Sequence, residues 1–186
     1  MSTPRLSIKA ITQQTLPEYR QLLSCPPEGW CWCVAWEVDS WDGWAARSAD
    51  ENRRLREELW AEGKFFGYLF YIGDEPCGWV RVGQAAHWPK LVRSRQISDP
   101  EHSHAITCVN LKPEYRKKGY LKPLLALVID DLQQQGVKTL LAFPKTLKGV
   151  TDDGAIWNGP KSVFTQLGFS LTRTEPDYQE MRLCLQ

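Results

Sequence analysis

The stretch Val109-Asn110-Leu111-Lys112-Pro113-Glu114-Tyr115-Arg116-Lys117-Lys118-Gly119-Tyr120-Leu121 reads as an apolar strand end, a basic turn and the head of a long helix. Pro113 closes the strand because it offers no N–H to a ladder. Beyond the turn, Leu121, Leu124, Leu125, Val128 and Leu132 recur at steps of three and four, an apolar stripe along one face of a helix spanning Gly119 to Gln135. A helix head presents unpaired N–H groups and the positive end of the helix dipole. Gly119 permits close backbone approach, and Arg116, Lys117 and Lys118 add charge, so the arrangement suits a phosphate or pyrophosphate. Three basic residues at such a turn are also what a plain solvated surface would show.

Working outward, His104 to Leu111 and Val137 to Phe143 are short apolar runs flanking that helix. A strand, helix, strand unit of this kind predicts parallel neighbours. Upstream, Thr15, Pro17 and Glu18 open a helix carrying Leu16, Tyr19, Leu22 and Leu23, which Cys25-Pro26-Pro27 stops. Ser48 to Glu62 is a second helix with Gly63 as its cap. Lys64 to Ile72 and Glu75 to Val82 form a hairpin about Gly73-Asp74. Gln84 to Pro100 is a loop with one helical turn around Trp88 to Val92. Downstream of a Lys-, Thr-, Asp- and Gly-rich loop, Pro160 to Leu167 is a short helix, followed by strands Ser170 to Arg173 and Glu180 to Leu185. The predicted class is mixed α/β (α+β), with a sheet that passes from antiparallel to parallel and one domain over residues 1–186.

Composition narrows the function. The 186 residues are 42% hydrophobic and 24% charged, a globular balance, and 23 basic against 22 acidic side chains leave no overall field to hold a nucleic acid. Apolar runs such as Leu124 to Ile129 fall far short of the ~20 residues of a membrane span. Residues 1–10 carry no secretory signal pattern, so a cytoplasmic protein with reduced thiols is expected. Cys25, Cys31 and Cys33 lack zinc-knuckle spacing and a nearby histidine, and no metal is expected. Neither a Walker loop nor a dinucleotide Gly-x-Gly-x-x-Gly is present.

The run Pro113-x-Tyr115-Arg116-x-x-Gly119 after an apolar strand resembles motif A of the GNAT acyl-CoA N-acyltransferase superfamily, whose usual form is Arg or Gln, two residues, Gly, one residue, Gly or Ala. Arg116 and Gly119 match, and Leu121 stands where a small residue is common. Val163-Phe164-Thr165-Gln166-Leu167-Gly168-Phe169 is similar to the family's closing helix, turn and strand; the two N-terminal helices, the hairpin with Gly78 entering its second strand and the last strands fall in the family's order, so the resemblance spans Leu6 to Leu185. Trp30-Cys31-Trp32-Cys33 with Trp36, and the Trp157-Asn158-Gly159 approach, look like a poorly characterised bacterial branch. The resemblance implies a mainly antiparallel sheet, helices on both faces, and central parallel strands splayed at a cofactor site. It implies acetyl-CoA as acyl donor: Val109 and Leu111 pair with the pantetheine arm, and Arg116 with the amides of Lys117, Lys118, Gly119, Tyr120, Leu121 and Lys122 holds the pyrophosphate. The acceptor would be a primary amine on a small molecule or peptide. A homodimer is left open.

Transfer needs a route for the ammonium proton and an acid for the leaving thiolate. Phe164 occupies the position where many members carry a tyrosine, so the acid is unassigned, with Tyr120, Tyr115, Cys108 or water as candidates; His102, His104 and Glu101 are candidates for the base, or ordinary loop residues. Five of nine tryptophans fall between Trp30 and Trp44; Trp30, Trp32 and Trp36 are either acceptor-pocket walls or core packing. Two competitors stand beside the enzyme: a non-catalytic CoA-binding or sensing module, and an aromatic-lined carbohydrate or nucleoside binder.

Overall fold

The computed structural model describes residues 4–24, 28–146 and 157–186. Cys25 and most of the loop expected before Gly159 lie outside the described residues. Seven strands form one sheet in the order β1-β2-β3-β4-β5-β7-β6. They are β1 (Leu6–Ala10), β2 (Tyr68–Ile72), β3 (Glu75–Gln84), β4 (Ser103–Leu111), β5 (Thr139–Ala142), β6 (Ser170–Thr174) and β7 (Gln179–Cys184). The β4–β5 pair is parallel and the other neighbours are antiparallel, as the strand, helix, strand reading requires.

Strand β1 was not among the expected elements. Its five residues, Leu-Ser-Ile-Lys-Ala, carry too little pattern to announce a strand, and it exists because β2 offers an edge to pair with, Leu6 opposite Ile72 through Ala10 opposite Tyr68. The hairpin begins at Tyr68 rather than Lys64. Gly67 has φ +111°, and a Cβ there would lie 2.0 Å from the Val80 carbonyl oxygen, so the chain enters the sheet only past a glycine.

Among the described residues five α-helices cover the faces: α1 (Leu16–Leu23), α2 (Ala49–Ala61), α3 (Pro89–Arg95), α4 (Leu121–Gln134) and α5 (Lys161–Gln166). Helix α2 starts where expected because Ser48 and Glu51 form a reciprocal cap, the Glu51 N–H donating to Ser48 Oγ and the Ser48 N–H to Glu51 Oε2. Helix α3 is longer than the single turn expected: fully buried Trp88 anchors its start and Leu91 faces the core with it. Helix α4 begins at Leu121 rather than Gly119, whose φ of +81° is incompatible with a helix.

On one face of the sheet, the α4 stripe (Leu124, Leu125, Val128, Ile129, Leu132) and Phe164 of α5 pack on Val80, Ile106, Val109 and Leu140. On the other, α1 packs with Trp32, Cys33 and Trp60 on Leu69, Trp79 and Cys108, while α3 with Trp36 and Trp88 covers Ala105 and Leu141. Thr107 decides which residues face which side. Arg81 pairs with Cys108 and Val82 with Ile106, so Thr107 is an extra residue in β4, a bulge that turns Cys108 to the face Ala105 already occupies.

Candidate cofactor site at the splayed strands

Parallel pairing between β4 and β5 stops at Ile106 opposite Ala142. From the bulge onward β4 continues alone on that side, and its backbone groups need other partners. Lys112 donates its N–H to the Cys77 carbonyl, toward β3, whereas the Val109 N–H points the opposite way, to the Trp157 carbonyl at 2.8 Å. By strand alternation Val109 and Leu111 therefore direct their backbone polar groups into the splay.

The basic turn is tied to the strands on both sides. Arg116 Nε donates to the Leu111 carbonyl at 2.7 Å and Nη2 to Asn110 Oδ1 at 2.9 Å. Tyr115 Oη donates to Glu75 Oε2 at 2.8 Å, and Lys112 Nζ meets Glu75 Oε1 at 2.9 Å. The bond to Glu75 pushes the Tyr115 phenol up to about 12, so this tyrosine is a brace and a poor acid. Arg116, expected among the cofactor-binding residues, ties the turn to β4 through these bonds, and Lys117, Lys118 and Gly119 follow it to the head of α4. Lys117 and Gly119 both have positive φ, +58° and +81°. Alternation of left- and right-handed residues turns successive N–H groups into a concavity that suits anions. Helix α4 has no side-chain cap and no acidic residue in its first turn. Pro123 has no N–H, so the head of the helix offers the amides of Leu121 and Lys122 as donors with no capping side chain. Lys117, Lys118 and Lys122 are exposed around them.

The structure thus brings Val109, Leu111, Arg116, Lys117, Lys118, Gly119, Tyr120, Leu121 and Lys122 into one continuous strand, turn and helix head. It does not bring the catalytic candidates together. His104 is five residues from Val109, about 16 Å along β4, and burial, with His87 nearby, lowers its pKa. His102 is exposed and paired with Asp99 at 2.8 Å. Cys108 is buried at the splay with its sulfur 3.5 Å from that of Cys33. Tyr120 is half-buried at the head of α4, its ring 6.3 Å from that of Tyr115. Of the three tryptophans, Trp32 is core, packed between α1 and the sheet; Trp30 is 38% exposed, away from that core; Trp36 is buried, its ring 6.2 Å from that of Trp157.

Reading by residue type passed over Trp157, Asn158 and Gly159 as site components. They lie across the open edge of β4. A Cβ on Gly159 (φ +85°) would come within 2.7 Å of the Phe164 ring and 3.5 Å of the Val109 side chain, so glycine lets this segment settle between them. Asn158 is 2% exposed and its Oδ1 accepts no hydrogen bond from the described residues. The Asn-Gly-Pro sequence before a helix signals a sharp change of direction, but not what it lies against.

The Acetyltransferase (GNAT) family model matches residues 18–148, and the chain belongs to that family. No curated protein matches the chain in sequence. Among solved structures, the yncA protein of Salmonella typhimurium, determined with its cofactor acetyl-CoA, superposes with a TM-score of 0.54 at 15% identity, covering 97% of this chain and 94% of that one. The PaiA N-acetyltransferase of Thermoplasma acidophilum in complex with coenzyme A gives 0.52 at 13% identity, over 97% and 99% of the two chains. The ribosomal-protein-S18-alanine N-acetyltransferase of Escherichia coli gives 0.54 at 14% identity, over 97% and 94%. At such identities the likeness is one of fold. Among the described residues no group of metal-ligating side chains is assembled, and no helix is long and apolar enough to cross a membrane.

Proposed function

We propose that the chain is an acetyl-CoA-dependent N-acetyltransferase of the cytoplasm that moves the acetyl group directly to a primary amine on a small molecule or peptide. The observation that carries this reading is the splay itself, where β4 leaves β5 beside a basic, uncapped helix head. Bound there, acetyl-CoA would supply an activated acetyl thioester. The chain's own residues supply the rest. Amides from Lys117 to Lys122, with the exposed lysine side chains, meet the pyrophosphate. Val109 and Leu111 offer backbone groups to the amide-bearing arm, and Arg116 keeps turn and strand in register. The same ligand class occurs in the yncA and PaiA structures.

A second reading, a CoA-binding module without turnover, is favoured by one observation. Phe164 is fully buried against Phe169, with ring centroids 5.2 Å apart, and has no proton to give. Calorimetric titration of acetyl-CoA into the purified protein, followed by release of free CoA over an amine panel, separates the two. Saturable binding with CoA release that depends on an amine supports the enzyme. Binding with no release over the panel supports the module. Absence of binding defeats both.

A further inference from the structure

Beneath the helix α1 side of the sheet lies a group of thiols and charges that neither reading uses. Cys33 Sγ lies 3.5 Å from Cys108 Sγ and accepts a hydrogen bond from Trp79 Nε1 at 3.1 Å. Trp32 and Cys33 are consecutive non-glycine residues with φ of +46° and +54°, a conformation that costs energy and persists only where surroundings impose it. Buried arginines impose it. Arg56 donates to the Trp32 carbonyl at 3.1 Å and also to that of Cys33, and Arg81 donates to the Cys33 carbonyl at 3.1 Å. The strain is thus spent on holding one sulfur against another.

Among the described residues, buried positive charge exceeds buried negative charge around the pair. Arg56 and Arg81 are 1% and 2% exposed and, among the described residues, share one carboxylate, Glu37, at 3.4 and 2.7 Å. Two guanidiniums and one carboxylate leave one buried positive charge over, and buried charge demands a partner. The contacts with Cys108 and Cys31, with Arg81 and Arg56 nearby, lower the Cys33 thiol against burial, whereas the contact with Cys33 and burial push Cys108 up. Two sulfurs thus face each other at 3.5 Å beside two buried guanidiniums.

We propose that Cys33 and Cys108 are a redox-active dithiol, oxidised by hydrogen peroxide to an intramolecular disulfide that bolts the 31–33 turn to β4 one residue before Val109. The Cys33 thiolate attacks the O–O bond, which breaks to give a sulfenic acid and hydroxide, and the hydroxide leaves as water on taking a proton. Cys108 then displaces the sulfenic hydroxyl, which departs as water with the Cys108 proton; two thiols and one peroxide give one disulfide and two waters. The two sulfurs need to approach by only about 1.5 Å to reach bonding distance. A small oxidant is required because both residues are under 10% exposed. The pair needs no cofactor, so this inference stands or falls apart from the acetyl-transfer reading.

Hydrogen peroxide added to the reduced protein, followed by alkylation and non-reducing peptide mapping, is the test. The expected product is monomeric, lighter by about two mass units, cross-linked between Cys33 and Cys108, and restored by dithiothreitol. Cys77, fully buried and raised to about 11, should stay reduced throughout. In Cys108→Ser the reaction should stop at an oxygen adduct of about 16 mass units on Cys33, trapped by dimedone; in Cys33→Ser neither product should form. The proposal is overturned if peroxide that oxidises the exposed Cys184 leaves Cys33 and Cys108 reduced, or if Cys33 is found linked to Cys31 instead. The map of the unsubstituted protein decides the matter even where a variant fails to fold.

Discussion

The main-chain N–H of Val109 donates to the carbonyl oxygen of Trp157 at 2.8 Å, so the chain's own backbone already occupies the donor that the splayed strand would offer to a cofactor. Pantetheine pairing at Val109 requires that bond to be exchanged, at a net cost of about 1 kcal/mol, or a few-fold in affinity. Saturating CoA should therefore raise hydrogen exchange over residues 157–160 while lowering it at the head of α4. Unchanged exchange over 157–160, with α4 protected, would mean that CoA is held at the turn and leaves Val109 bonded to Trp157.

The turn itself separates two contributions. A Cβ at Gly119 meets no protein atom within 4 Å, so Gly119→Ala costs only the left-handed backbone, about 1–2 kcal/mol. Gly119→Asp adds a negative charge facing the phosphates. CoA affinity by calorimetry should fall further for Asp than for Ala, and the gap should narrow as salt is raised. An equal loss in both variants would remove the electrostatic role of the turn. Arg116→Glu removes two charge-assisted bonds to β4 and is expected to weaken binding by ten-fold or more, at about 1.5–3 kcal/mol per bond to a charged group.

The sequence was legible where one local rule decided the outcome. The α4 stripe and the Ser48 to Glu62 helix follow from spacing within a single element and the parallel pair from the order of elements about α4, whose start moved to Leu121 because Gly119 adopts a positive φ. Pairing that rests on register rather than on element order was not legible. Strand β1 exists only because β2 is beside it, and the Thr107 bulge, which puts Cys108 on the same face as Cys33, is defined by the register against β3. Arg116 shows the same limit within the site. Its charge is legible in sequence, whereas its bonds to Leu111 and Asn110 depend on how the turn folds back onto the strand.

Glu37 gives a prediction about pH. Burial alone would raise its carboxyl, but Arg81 and Arg56 outweigh burial and hold it below the ordinary value of 4.5. A carboxyl depressed in the folded state stabilises the protein above its unfolded pKa, and that contribution is lost as pH falls through the folded value. Glu37→Gln leaves two buried guanidiniums without a carboxylate and should cost about 3–5 kcal/mol near neutrality. Urea unfolding at pH 7 and near pH 3 should show the difference between the two proteins shrinking in acid. A constant difference would mean that Glu37 acts by packing rather than charge.

Phe164 decides between an enzyme with a displaced acid and a module that has lost one. Its ring edge faces the segment carrying Trp157: a Cβ on Gly159 would fall 2.7 Å from Phe164 Cζ and 2.8 Å from Cε2. Phe164→Tyr places a hydroxyl on that Cζ, beside Gly159 in a fully buried site. Overpacking of this kind typically costs about 1–3 kcal/mol, or a melting temperature lower by very roughly 2–12 °C in a chain of this length. The expected outcome is a lower melting temperature, a looser 157–160 segment and no gain in CoA release. Should the variant instead release CoA faster with an amine present and keep its melting temperature, a tyrosine hydroxyl fits at this position and proton supply limits the native protein.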